Sequence, residues 1–149
     1  MSETNWTLRE AVQSDAPSLT KCMTAAYSAY ESRMEGTRLP PMDVHYEREI
    51  RESPTWVVVE SGQVIGALIM GFSDDHAKIA NVVVHPAHQG RGIGGRLMRL
   101  AEESANEQGH SEMRLATHVL LTENVSLYEH LGWREIKRDE TRVWMAKTI

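Results

Sequence analysis

Apolar positions along this chain follow two rhythms, one with the period of a strand and one with the period of a helix. Residues 6–11, WTLREA, read as a short strand. Ser14 is suited to cap a following helix, with Asp15 and Pro17 in its first turn. Leu19, Met23, Ala26, Tyr27 and Tyr30 then recur at helical spacing. GTRLPPM, residues 36–42, breaks that pattern, as glycine and paired prolines do. Residues 43–53 predict a short helix opened by Asp43. TWVVVE (55–60) reads as a strand, SGQ turns the chain, and residues 64–73 return as the second arm of a hairpin. AKIANVVVH (77–85) is a further strand.

A glycine-rich loop follows and leads into a helix whose buried face is marked by Ile93, Leu97, Leu100, Ala101 and Ala105, with Gly109 placed to end it. EMRLATHV (112–119) predicts a strand. TENVSLYEHLGW (122–133) predicts a short helix with Thr122 as N-cap and Gly132 just beyond its C-terminus. Two last strands fall near 133–138 and 142–147. The order is β-α-α-β-β-β-α-β-α-β-β. Helices lie among the strands, yet three strands run consecutively, so the expectation is a mixed α/β sheet rather than a regular doubly wound one. With 149 residues, no repeat and no long linker, a single domain over 1–149 is expected.

Composition narrows the class. Apolar residues make up 41% and charged residues 25%, ordinary for a globular protein. The net charge of −5 gives no general affinity for nucleic acid. The lone cysteine, Cys22, excludes an internal disulfide and fits a cytoplasmic location. Its apolar helical surroundings read as packing. No apolar run reaches membrane-spanning length, and MSETNWTLREA lacks the layout of a signal peptide. Neither a membrane nor a nucleic-acid partner is expected.

The loop HPAHQGRGIGGRLM carries the chemistry. Its glycines let backbone N–H groups approach an anion, the helix start adds a favourable dipole, and Arg91 and Arg96 flank it. No Gly-Lys-Ser/Thr follows, so it is not a Walker loop. Gly90, Gly92 and Gly95 satisfy a dinucleotide fingerprint. That fingerprint, however, normally follows the first strand of a βαβ unit, with an acid at the end of the next strand. Here four strands precede the loop, and Glu112 falls at the beginning of its strand. His85, His88 and His118 lack the fixed spacing of a zinc site, so no metal is expected.

The same letters also read Gln89-x-x-Gly92-x-Gly94 after VVVHP. In that form the loop resembles the acetyl-CoA loop of the GNAT superfamily of N-acetyltransferases. TENVSLYEHLGW is similar to a second signature of that superfamily, through Asn124, Tyr128, Leu131, Gly132 and Trp133. The element order is similar over nearly the whole chain. The resemblance implies a mostly antiparallel central sheet of about seven strands with about four flanking helices. It implies that acetyl-CoA is the co-substrate and that a small-molecule or peptide amine is the acceptor. A homodimer is compatible with it. The pyrophosphate would rest on backbone amides of Gln89, Gly90, Arg91, Gly92, Ile93, Gly94 and Gly95. The pantetheine arm would pair with Val82, Val83 and Val84. Asn124 would help hold the cofactor, and Tyr128 would face the CoA sulfur.

Elementary chemistry supports the Tyr128 role. A thiol leaves with a pKa of about 8.5 while tyrosine keeps its proton to about 10, so Tyr128 is still protonated as the thiolate forms and can donate to it, or at least hydrogen-bond it as charge develops. The same resemblance implies that the Val84 N–H is a donor to the thioester carbonyl. The general base stays open among His118, His85, Glu47 and Tyr46, since the strand IANVVV carries no acid. The acceptor wall is expected in 27–50, with Tyr27, Tyr30, Arg38 and Tyr46 as contacts and with Arg33 and Arg38 suited to an acceptor carboxylate. Two other readings use the same loop, a non-catalytic acetyl-CoA sensor and a dinucleotide-binding oxidoreductase.

Overall fold

A computed structural model describes residues 5–30 and 44–149. Seven strands form one sheet in the order β1-β2-β3-β4-β5-β7-β6, with β1 at Thr7–Glu10, β2 at Thr55–Glu60, β3 at Gln63–Phe72, β4 at Ala77–Val84, β5 at Glu112–His118, β6 at Arg134–Arg138 and β7 at Arg142–Thr148. Every neighbouring pair is antiparallel except β4 and β5. Helices α1 (Ala16–Ser28) and α2 (Tyr46–Glu52) cover one face, and α3 (Ile93–Glu107) and α4 (Thr122–His130) cover the other.

The two faces have separate cores because the apolar residues of β3 alternate. Leu68 and Met70 pack with Ile93, Leu97, Ala101 and Ala105 of α3. Ala67 and Ile69 pack with Leu19, Cys22 and Met23 of α1. This period of two is what a sheet buried on both sides requires.

Two features of β4 open a site. It pairs with β5 only at Ala77↔Met113 and Lys78↔Arg114, so the strands part beyond that point. Its register against β3 also jumps from Met70↔Ile79 to Ile69↔Asn81, which leaves Ala80 as the extra residue of a β-bulge. The bulge reverses the facing of the residues downstream of it. Ala77 and Ile79 pack on the α3 side before it, and Val82 and Val84 on that side after it, so Asn81 and Val83 turn to the α1 side.

Both expected helix caps move by one residue. Ser14 lies inside a 3-10 turn over Gln13–Asp15, and Asp15 occupies the N-cap of α1. The Asp15 carboxylate is drawn away to the Val12 N–H at 2.8 Å and to the Arg9 guanidinium at 2.8 and 2.9 Å. Thr122 is the first residue of α4 rather than its cap, and Leu121 precedes it. Asp43, the expected start of α2, lies outside the described residues, and His45 stands at that N-cap.

Candidate active site

The pocket walls are built from the parted strands, the glycine loop and α4. Gly90 and Gly92 take φ of 80° and 82°, in the left-handed region that side chains resist. Gly92 is the N-cap of α3. The first intrahelical donor is Arg96 N–H, which reaches Gly92 O at 3.1 Å. The N–H groups of Ile93, Gly94 and Gly95 therefore have no partner within the helix and are free for an anion.

These residues line a groove of about 580 Å³ together with Val82, Val83, Val84, Gln89, Gly90 and Gly92, and with Asn124 and Tyr128 of α4. His85 N–H donates to Ile65 O at 2.8 Å. By strand alternation the N–H and C=O groups of Val82 and Val84 then turn to the open edge of β4. Nine of the ten expected loop and strand contacts thus line one groove, and Arg91 is the exception. Its guanidinium pairs with Glu60 at the end of β2, at 2.6 and 3.1 Å, and also meets His88 Nδ1 at 2.8 Å. The pairing holds the Glu60 carboxyl below its usual range.

A second cavity of about 270 Å³ fills the gap between β4 and β5. Tyr27, Val82, Asn124 and Tyr128 line both spaces, so the two meet at these side chains. Asn124 Nδ2 lies 3.5 Å from Thr117 Oγ1 and spans from α4 to β5.

Tyr128 is positioned by the end of its own helix. Gly132, at φ 97°, allows Gly132 N–H to reach Glu129 O at 3.1 Å and Trp133 N–H to reach Tyr128 O at 2.9 Å. This is the Schellman closure. It sets the Trp133 ring edge-on to Tyr128, with centroids 5.9 Å apart. The indole N–H of Trp133 is a buried donor without a partner among the described residues. Burial, and then the neighbouring Tyr30, pushes the Tyr128 phenol up to about 12.

The remaining candidates divide. Tyr27 and Tyr30 line the groove. Tyr27 O–H donates to Asn81 Oδ1 at 2.8 Å, and burial raises its pKa. Tyr46 is 3% exposed, packs in the core beneath α1 and lines neither space. Packing beneath α1, rather than the expected acceptor site, takes its ring. Arg38 and Arg33 lie outside the described residues. His118 lines the inter-strand cavity, and its Nδ1 accepts the Leu120 N–H at 3.1 Å. His85 Nδ1 caps the following turn through Ala87 N–H at 3.0 Å and lines neither space. Glu47 is exposed on α2 and lines neither. Sequence reasoning passed over Asn81, Lys78 and Arg142, which all line the inter-strand cavity. The polar Asn81 inside the apolar run IANVVV was the available signal.

Comparison with known proteins agrees with this arrangement. The profile of the acetyltransferase (GNAT) family matches residues 20–133, and the chain belongs to that family. It is 35% identical over 85 residues to the uncharacterized N-acetyltransferase YjgM of Escherichia coli, covering 54% of this chain and 51% of that protein. It is 29% identical over 92 residues to N-acetyltransferase 8 of Mus musculus, covering 58% and 40%. The chain spans about half the length, or less, of these two curated relatives. In fold it is similar to the PaiA N-acetyltransferase of Thermoplasma acidophilum in complex with coenzyme A, with a TM-score of 0.85 at 16% identity over 98% of this chain and 100% of that one. It is also similar to a GNAT family acetyltransferase of Elizabethkingia anophelis with acetyl-CoA bound, with a TM-score of 0.70 at 14% identity over 99% and 100%. Family membership replaces the dinucleotide reading of the loop.

Proposed function

We propose that this protein transfers the acetyl group of acetyl-CoA to a primary amine by direct attack in a ternary complex. One observation carries the reading: the loop-lined groove and the inter-strand cavity meet at Tyr128. A cofactor lying along the groove brings its thioester to that junction, and the cavity supplies the space for an amine. The pyrophosphate sits on the free N–H groups at the start of α3. The pantetheine arm pairs with the outward N–H and C=O groups of Val82 and Val84, and Asn124 helps hold it. The Val84 N–H is the candidate donor to the thioester oxygen.

The neutral amine attacks the carbonyl carbon, the C–S bond breaks, and Tyr128 gives its proton to the departing sulfur. The attacking nitrogen loses one proton to water and becomes an amide, and water returns one proton to the Tyr128 phenolate. His118 is poorly set to take that proton. With Nδ1 accepting from Leu120, the neutral ring carries its hydrogen on Nε2 and has no free lone pair there. His118 therefore serves the acceptor as a donor. The test is thiol release from acetyl-CoA across a panel of amines, amino acids and peptides, with thermal stabilisation by acetyl-CoA measured alongside. Release with one acceptor class is expected. Stabilisation without release from any amine would indicate a sensor.

A further inference from the structure

We infer that the acceptor is an amine that also carries a carboxylate, held by Arg142 and Lys78 in the inter-strand cavity. This rests on the transferase reading above and names the substrate class of that site. Strand facing puts both cations on one side of the sheet. On β7, Val143 and Met145 point into the α3-side core, so Arg142 points to the opposite face, directly across from His118 in the register. On β4, Ala77 and Ile79 flank Lys78 and point to the α3 side, so Lys78 also faces the α1 side. Asn81 joins them there through the bulge and its bond to Tyr27.

Arg142, Lys78 and His118 all line the cavity, and among the described residues no carboxylate does. Neither cation has an ion-pair partner among the described residues. Three acids on the adjoining segments are already engaged. Glu112 pairs with Arg114 and Arg134, Asp75 with His76, and Asp139 accepts the backbone N–H groups of Thr141 and Arg142. A cavity with unpaired cations in a chain of net charge −5 is a local reversal of sign. It favours an anionic group on the ligand and disfavours a second ammonium. Arg142 offers a planar fork that matches a carboxylate, and Lys78 adds a point charge. A polyamine would place its additional cations against Arg142 and Lys78.

The test compares free L-amino acids with their α-amides, which keep the amine and side chain and lose the negative charge. Spermidine serves as the polycation. With acetyl-CoA saturating, kcat/KM for the best free acid should exceed that of its amide and of spermidine by at least about tenfold. Arg142→Gln and Lys78→Gln should each raise the acid's KM about fivefold or more. The amide's kinetics and the KM for acetyl-CoA should stay as they were. Amides or spermidine that match the acids, or an acid-to-amide ratio unchanged in both variants, would overturn the inference.

Calorimetry keeps this separate from the transferase reading. N-acetyl amino acids and N-acetyl amino acid amides are titrated into CoA-saturated protein, or into free protein if CoA does not bind. Preference for the carboxylate form, lost in Arg142→Gln, supports the inference even without turnover. Equal binding of the two forms, or no binding of any carboxylate form, overturns it.

Discussion

Tyr128 has one task in the proposed reaction, and its setting bears directly on that task. An acid must hold its proton until sulfur departs. Burial raises the Tyr128 phenol to about 12, so it remains protonated throughout the range in which amines become neutral. A raised acid pKa keeps the proton-donating form present up to higher pH. The rate should therefore climb with pH as the amine deprotonates and then level off. No descending limb should appear below pH of about 10, where an ordinary phenol would be half ionised. Tyr128→Phe keeps the ring against Trp133 and removes the proton, so kcat should fall about 100-fold while stabilisation by acetyl-CoA persists. His118→Ala should cost less, about tenfold or under, because its Nδ1 is held by a backbone amide. An effect of Tyr128→Phe confined to the KM of acetyl-CoA, with kcat unchanged, would remove the proton-donor role.

At the scale of elements, the glycine loop is tied to the end of an interior strand. Arg91 does not line the groove, and its bidentate pair with Glu60 ties the loop to the end of β2, with His88 joining the same cluster. Glu60→Gln should leave kcat unchanged and raise the KM for acetyl-CoA about two- to fivefold, an effect in the range expected of an exposed pair. That difference should shrink in high salt, which screens surface charges. An unchanged KM at low salt would make the pair ornamental. Element order, sheet class and the loop with its helix were legible from periodicity and turn chemistry, because these depend on neighbours along the chain. The bulge at Ala80 was not legible, since an extra residue shows only against its partner strand. Without it Asn81 would face α3 instead of Tyr27. The caps were misplaced for a related reason: Ser14 and Thr122 have the right chemistry, but Asp15 finds a better partner in Arg9, and α4 starts at Thr122 itself. Tyr46 fits a helix pattern equally well inward or outward, and only packing against α1 decided between core and acceptor site.

At the scale of the molecule, the donor groove exposes apolar surface that a cofactor would cover. Leu127 and Leu131 of the α4 region are 52% and 40% exposed and both line the groove. Exposed leucines of this kind cost the free protein little, yet they add to binding when a ligand covers them. Any ligand that binds only the folded state stabilises it by mass action, about 2.7 kcal/mol at 100 times its Kd. For a chain of this length each kcal/mol raises Tm by about 2–4 °C, so saturating acetyl-CoA should raise it by about 5–10 °C. Leu127→Gln separates a role in the scaffold from a role at the groove. The free protein's Tm should stay within about 1 °C of the parent, since an exposed side chain contributes little to folding. The shift produced by a fixed concentration of acetyl-CoA should shrink. A lowered Tm without ligand, with an unchanged shift on adding it, would place Leu127 in the fold rather than in the binding surface.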